Sequence, residues 1–210
     1  MTYALKEIYY TIQREGHHFG RPSVFCRFTG CNLWSGLEEE RSKAIFRFCD
    51  TDSVGVNGSG AGHFSDAEQV ATAIEEAWQS SSESRFVVCT GNEPLLQLDR
   101  ALIQVLRDKG FTIAIETNGT LSIPEGIDWV CVSPKAGASL AVDRGDELKL
   151  VFPQTNCDPT QYGHLDFRHF FLQPMDDPQV EDNIRCALNY CLAHPEWRLS
   201  LQTHKLIGVA

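Results

Sequence analysis

The sequence predicts an α/β fold, an open and partial parallel βα barrel with reduced helices. Three observations predict it. Apolar, β-branched runs of four to six residues recur along the chain and are nearly continuous, as strands buried on both faces of a parallel sheet are. Helical patterns lie between some of them. Only three of those patterns are substantial, and 210 residues fall short of the roughly 250 that a complete eightfold barrel takes.

Element by element, a strand over residues 6–12 precedes the first unit, and residues 23–28 (SVFCRF) form the next. Residues 57–63 (NGSGAGH) read as a surface loop. Ser65-Asp66-Ala67-Glu68 is a capping start for a helix running to about Gln79. Strands are expected at 86–90, 111–116, 129–132, 147–152, 169–172 and 198–202. A second helix spans 94–109 and stops at Gly110, and a third spans 180–193 and stops before Pro195. The segments 120–127 and 153–167 are too short or too rich in Pro, Asn and Asp for long helices. Nothing resembling a linker or repeat divides the chain, so residues 1–210 read as one domain.

Composition excludes several functions. Eighteen basic against 28 acidic residues give a net charge of -10, which repels phosphate backbones and anionic lipids, so neither nucleic acid nor membrane is an expected partner. No apolar run approaches the ~20 residues that span a bilayer, and MTYALKEIYY has no signal-peptide pattern. A cytoplasmic protein is expected. The eight cysteines, dispersed along a chain of this size, then read as buried thiols and metal ligands rather than a disulfide framework. Cys89 and Cys131, inside apolar runs, are expected in the core.

The functional signal lies in the polar clusters directly after the strands: Thr90-Gly91-Asn92-Glu93-Pro94, Glu116-Thr117-Asn118-Gly119, Ser133-Pro134-Lys135, Gln173-Pro174-Met175-Asp176 and Gln202-Thr203-His204-Lys205. Parallel βα folds bring strand ends to one rim, where ligands bind. Five polar clusters in that position imply a shared pocket. The first crossover differs. After the 23–28 strand comes Thr29-Gly30-Cys31-Asn32-Leu33-Trp34, then a charged excursion, then Phe46-Arg47-Phe48-Cys49-Asp50-Thr51. A long loop in a compact domain is usually functional, and two cysteines among glycine, aromatic and hydrogen-bonding residues suit a thiolate metal or iron–sulfur site.

These motifs, together with Gln13-x-Glu15-Gly16 and Phe25-Cys26-Arg27-Phe28, carry a resemblance. In this order and over the whole chain the sequence resembles the 7-carboxy-7-deazaguanine synthases, radical S-adenosylmethionine enzymes of 7-deazapurine and queuosine biosynthesis. It is most similar to the subgroup with a long insertion between the first two cluster cysteines. The resemblance implies the radical S-adenosylmethionine type of partial barrel. It also implies a carbon–nitrogen lyase that converts the pterin 6-carboxy-5,6,7,8-tetrahydropterin to 7-carboxy-7-deazaguanine with loss of ammonia. The implied cofactors are a 4Fe–4S cluster, S-adenosylmethionine and Mg²⁺, and the implied partners are a flavodoxin-like reductant and a second copy in a homodimer. The hard chemistry belongs to the cofactors, and no side chain is assigned as catalytic beyond them.

Carried over by position, Cys31 and Cys49 match cluster ligands and Thr51 matches the Mg²⁺ contact. Phe48, Cys49, Asp50, Asn92, Glu93, Glu116 and Asn118 fall where the family holds S-adenosylmethionine. So do Ser133, Pro134, Lys135, Gln173, Pro174, Met175 and Asp176. Ile12, Gln13, Arg14, Glu15, Arg27, Thr90 and His204 fall around the substrate, whose carboxylate suits the Arg27 guanidinium. The terminal carboxylate of Ala210 is a further expected substrate contact. The sequence departs from the family pattern at three positions: Arg14 and Asn92 stand at glycine positions, and Phe46 stands where the remaining cluster cysteine is expected. A reading as a homologue that binds S-adenosylmethionine or pterin without a competent cluster stays open beside the enzyme. Cys26, five residues before Cys31, lies on the predicted strand ahead of the loop.

Overall fold

The computed structural model describes residues 2–35, 39, 55–203, 205 and 208. Among these residues nine strands form a single sheet: β1 (Tyr3–Ile12), β2 (Pro22–Phe28), β3 (Gly62–Phe64), β4 (Phe86–Gly91), β5 (Thr112–Thr117), β6 (Trp129–Val132), β7 (Arg144–Phe152), β8 (Asp166–Pro174) and β9 (Trp197–Leu199). Their order is β3-β1-β2-β4-β5-β6-β7-β8-β9. From β2 to β9 every neighbour is parallel, while β1 runs antiparallel to both β2 and β3. The sheet does not close. It curves enough for Arg27 on β2 and Gln173 on β8 to line one cavity, so the open partial barrel expected from the strand pattern is the fold.

Among the described residues the helices α1 (Ala67–Ala77), α2 (Arg100–Asp108) and α3 (Val180–Ala193) cover the outer face. α1 buries Ala67, Val70, Ala71 and Ile74, one stripe at helical spacing. That stripe joins Val24, Cys26 and Phe28 of β2 and Val87 and Cys89 of β4 in one core cluster. Each fully buried side chain of the Ile74 kind contributes about 1.5–3 kcal/mol. α3 covers a second cluster built on Val132, Leu148, Leu150 and Leu172.

The start of α1 matches the sequence to within one residue, with Asp66 in place of Ser65 as its cap. The Asp66 carboxylate accepts from the Gln69 amide at 3.0 Å, and the Gln69 side chain accepts from the Ser65 amide at 3.1 Å. The start of α2 does not. A helix from Pro94 was expected, but residues 94–96 make one 3₁₀ turn and α2 opens only at Arg100. The side chain of Gln97 explains the break. It accepts from the Ala4 amide at 2.7 Å and donates to the Thr29 carbonyl at 2.7 Å, which pins the chain across β1 and the loop after β2. Asp99 then caps the new helix by accepting from the Leu102 amide at 3.0 Å. Two other expectations shift. β9 begins at Trp197 and ends at Leu199, short of 202, and the 57–63 loop enters edge strand β3 at Gly62. β3 forms because Gly58 and Gly60 allow the chain to lie directly against β1: a Cβ on Gly58 would stand 2.6 Å from Cβ of Glu7.

Alternate strand residues face inward. The register stacks them in rows across the barrel. Tyr9, Phe25, Val88, Ala114 and Trp129 are successive partners and form an apolar row. Two residues further toward the strand ends lies a polar row. Arg27 pairs with Thr90 in register, and Glu116, Cys131, Glu147 and His169 are likewise successive partners. Cys89 packs in the outer core, as expected. Cys131 is also buried, as expected, but on the inward side, where its thiol donates to Glu147 Oε1 at 3.6 Å.

Candidate active site

A cavity of about 450 Å³ opens at the carboxyl ends of the parallel strands. Its floor is held by ion pairs. The Lys149 ammonium lies 2.6 Å from Glu15 and 3.5 Å from Glu116. Glu116 also accepts from Gln13 Nε2 at 3.1 Å and from the Thr90 hydroxyl at 3.0 Å. Burial pushes the Glu116 carboxyl up, but Lys149, Thr90 and Gln13 outweigh it and hold the group below its ordinary value. Lys149 is likewise disfavoured as a cation by burial and restored by Glu116 and Glu15, so its pKa lies well above the ordinary lysine value. The floor is therefore a fixed array of paired charges.

The walls come from the strand-end loops. Gly30 and Glu93 join the first loop to the loop after β4, through the Glu93 amide on the Gly30 carbonyl at 3.1 Å. Cys31 faces the cavity and its sulfur accepts the Leu33 amide at 3.4 Å. Asn118 Nδ2 donates to Asn32 Oδ1 at 3.0 Å, tying this loop to the end of β5. Lys135 bonds Ser133 at 2.7 Å, and Asn183 of α3 donates to the Met175 carbonyl at 2.9 Å, which fixes the loop after β8. Asp176 pairs with Lys205. Gln173 is buried in the lining, and its Oε1 has no hydrogen-bond partner among the described residues.

The structure places Gln13, Arg14, Glu15, Arg27 and Thr90 together with Asn92, Glu116, Asn118, Ser133 and Lys135 in this lining, and adds residues 173–176 and Cys31. Arg14 lies against the wall, its guanidinium 5.0 Å from the Phe25 ring centroid and bonded to the Tyr9 hydroxyl at 3.1 Å. Arg27 is paired with Glu7 at 2.8 Å. Three expected site residues stand back from the cavity: Ile12, Pro134 and Glu93. Glu93 is fully buried and accepts from the Thr117 hydroxyl at 2.8 Å, the Asn118 amide at 2.9 Å and the Leu95 amide at 3.1 Å. It shapes the wall from behind. Phe46, Phe48, Cys49, Asp50, Thr51, His204 and Ala210 lie outside the described residues.

Sequence reasoning passed over Lys149 and Val151, which also line the cavity, while Leu33, Trp34 and Gln202 stood in its motifs without an assigned role. Lys149 had a signal. A lysine between Leu148 and Leu150 in a buried strand needs an inward partner, and two acidic residues supply it.

The donor set tests the implied cofactors. The cavity suits S-adenosylmethionine, with hydrogen-bonding groups on every wall and an unmatched Gln173 oxygen inside it. The cluster fits less well. Of the described cysteines Cys31 alone lines the cavity, position 46 is phenylalanine, and no group of three metal-ligating side chains occurs among the described residues. Cys26 is no substitute, because its side chain is sealed in the core beneath α1 and α2.

No family model matches the chain. Individual proteins do. It is 57% identical to the 7-carboxy-7-deazaguanine synthase of Bordetella pertussis, 55% to that of Burkholderia multivorans and 54% to that of Caulobacter vibrioides, each over 100% of both chains. The crystal structure of QueE from Escherichia coli superposes with a TM-score of 0.72 at 27% identity, covering 97% of this chain and 95% of that one. With the same fold, a cavity at the carboxyl ends of its strands and more than half its residues shared with such enzymes from end to end, this chain belongs to the 7-carboxy-7-deazaguanine synthases.

Proposed function

We propose that the chain carries out the reaction of this family, converting 6-carboxy-5,6,7,8-tetrahydropterin to 7-carboxy-7-deazaguanine with loss of ammonia, as a radical S-adenosylmethionine carbon–nitrogen lyase. The full-length identity to enzymes of that name carries the reading. Bound S-adenosylmethionine supplies the radical chemistry in such enzymes. The chain's own part is to hold and orient. Gln173, Ser133, Lys135 and Asn118 are one group of polar residues in the lining, and Glu15, Gln13, Thr90 and Arg27 are a second. A pterin carries several N–H donors and one carboxylate, and the second group pairs acceptors with a guanidinium to match. Mg²⁺ at Thr51, a flavodoxin-like reductant, a homodimer and a cytoplasmic place for a single domain of residues 1–210 belong to the same proposal. In its support, no helix among the described residues is long and apolar enough to cross a membrane.

Phe46 favours a second reading, a protein that binds cofactor and pterin but lacks a competent cluster. Two thiolates from Cys31 and Cys49 leave a 4Fe–4S cluster one protein ligand short. One experiment separates the readings. The chain and its Phe46→Cys variant are reconstituted with iron and sulfide without oxygen. Iron is counted, and product is sought by mass spectrometry after adding S-adenosylmethionine, dithionite and substrate. Nearly four irons and product from the unmodified chain support the enzyme. Product from Phe46→Cys alone supports the binder. Product from neither, with a full cluster in the variant, overturns both.

A further inference from the structure

Below the cavity floor, Glu116, Cys131, Glu147 and His169 stand side by side on four adjacent strands, each the register partner of the next. Between them and the segment after β1 is a void of about 10 Å³, the space one water molecule needs. Glu15, His18, Glu116, Cys131 and Glu147 border it. Glu15 and Glu116 also border the large cavity, so the same two carboxylates face both spaces.

Among the described residues the charges around the void do not balance: three carboxylates share the Lys149 ammonium, whose ion pairs go to Glu15 and Glu116. Glu147 is held differently. Its Oε2 accepts the His17 amide at 3.1 Å, and its Oε1 accepts the Cys131 thiol at 3.6 Å. Gly16 packs so closely that a Cβ there would lie 1.9 Å from Glu147 Oε1. The groups facing Glu147 are Lys149 on its own strand, Glu116 from β5, Cys131 from β6, His169 from β8, and Glu15, His17 and His18 from the segment after β1. Burial lifts the Glu147 carboxyl above its ordinary value. Glu116, beside the same void, is held below its own. Two carboxyl groups driven apart in this way serve as proton donor and proton acceptor.

A protonated Glu147 needs an acceptor for its O–H. The His17 amide and the Cys131 thiol are both donors to it, which leaves the void. We propose that Glu147 stores a proton for the cavity floor, passes it to Glu116 through one water held in this void, and is refilled past His18 from the opposite mouth of the barrel. In the transfer the Glu147 O–H bond breaks and a Glu116 O–H bond forms. The water accepts one proton and gives up another, and no electrons move. His18 stacks edge-on against Trp129 at 4.2 Å and Phe86 at 5.1 Å, and burial lowers its pKa to about 4. It is therefore a neutral imidazole that can both accept and donate. Glu147 acts through Glu116 and is a positioning residue. This role rests on the cavity being the substrate site.

Infrared spectroscopy of the ligand-free chain, with ¹³C-labelled glutamate, reads the proton directly and separates this proposal from that reading. At neutral pH the protein is expected to show a protonated-carboxyl band that shifts in heavy water. Glu147→Gln removes the band, and Cys131→Ser, which places a hydroxyl against Glu147 Oε1, moves its frequency. His18→Phe slows the shift in heavy water. No protonated band in the unmodified chain, a band that Glu116→Gln or Glu93→Gln removes instead, or one that never shifts in heavy water would each overturn the proposal. Since the unmodified chain alone gives the first reading, a failure of Glu147→Gln to fold does not remove the test.

Discussion

The Lys149 ammonium sits 2.6 Å from the Glu15 carboxylate, joining the centre of β7 to the segment after β1. Both side chains are largely withdrawn from water, at 7% and 16% exposure. Removing one partner of such a pair leaves a buried charge, at a cost of about 3–5 kcal/mol. Lys149→Met is therefore expected to lose that much stability in urea denaturation and to bind 6-carboxypterin more weakly. A loss below about 1 kcal/mol would place this pair among the weak surface bridges instead.

Glu93 gives a second expectation, because every group around its carboxylate donates. Glu93→Gln turns an amide N–H₂ toward the Thr117 hydroxyl and two backbone amides. A loss of about 1–3 kcal/mol should follow, with the S-adenosylmethionine affinity falling because the wall after β4 loosens. Equal stability in the variant, by the same urea measurement, would show that the pocket of donors rearranges freely.

Gly91 and Gly110 form a matched pair of tests. Both have positive φ, +111° and +78°. A Cβ at Gly91 would lie 2.4 Å from the Phe28 carbonyl oxygen, whereas one at Gly110 meets nothing within 4 Å. Gly110→Ala should cost about 1–3 kcal/mol from backbone strain alone. Gly91→Ala should cost clearly more and part β2 from β4. Similar melting temperatures for the two variants would count against the close approach.

His18 sets a pH dependence with a definite sign. Its pKa falls from 6.5 unfolded to about 4 folded, first through burial and then through Arg21 and His17. Between those values the unfolded chain binds the extra proton, so the contribution of His18 is complete above pH 6.5 and drains away toward pH 4. Glu93 and Glu147, raised by burial, act oppositely: their folded forms take up protons first as the pH falls. The His18→Gln variant should show a flatter urea midpoint across pH 6.5 to 4 than the unmodified chain. Parallel curves would remove His18 as the cause.

The strand ladder was legible because a strand buried on both faces writes itself as an apolar run, and seven such runs fall on observed strands. The rule that ligands gather at strand ends located Thr90, Glu116, Asn118, Ser133, Lys135 and Gln173 in one lining. It failed at Glu93 and Pro134 because it fixes a residue's place on the rim but not its direction. Glu93 turns away from the cavity to cap the turn it begins. The helical pattern from residue 94 overstates α2 by six residues at its start, because Gln97 is pinned by contacts more than sixty residues distant, which no local pattern records. Cys131 and Glu147 were hidden for a similar reason. Each looks like part of an ordinary strand, and only the register of β5, β6 and β7 sets them beside Glu116.

The ends of the sheet carry a last consequence. Among the described residues β3 and β9 are the outermost strands, and each is only three residues long. An open sheet exposes a row of unpaired amides and carbonyls at each border, and a long border is a template on which another chain can add. Here each border strand offers too short a ladder to hold an incoming strand in register. An unclosed barrel can thus leave room for a ligand between its edges without inviting its own copies to zip together into fibres.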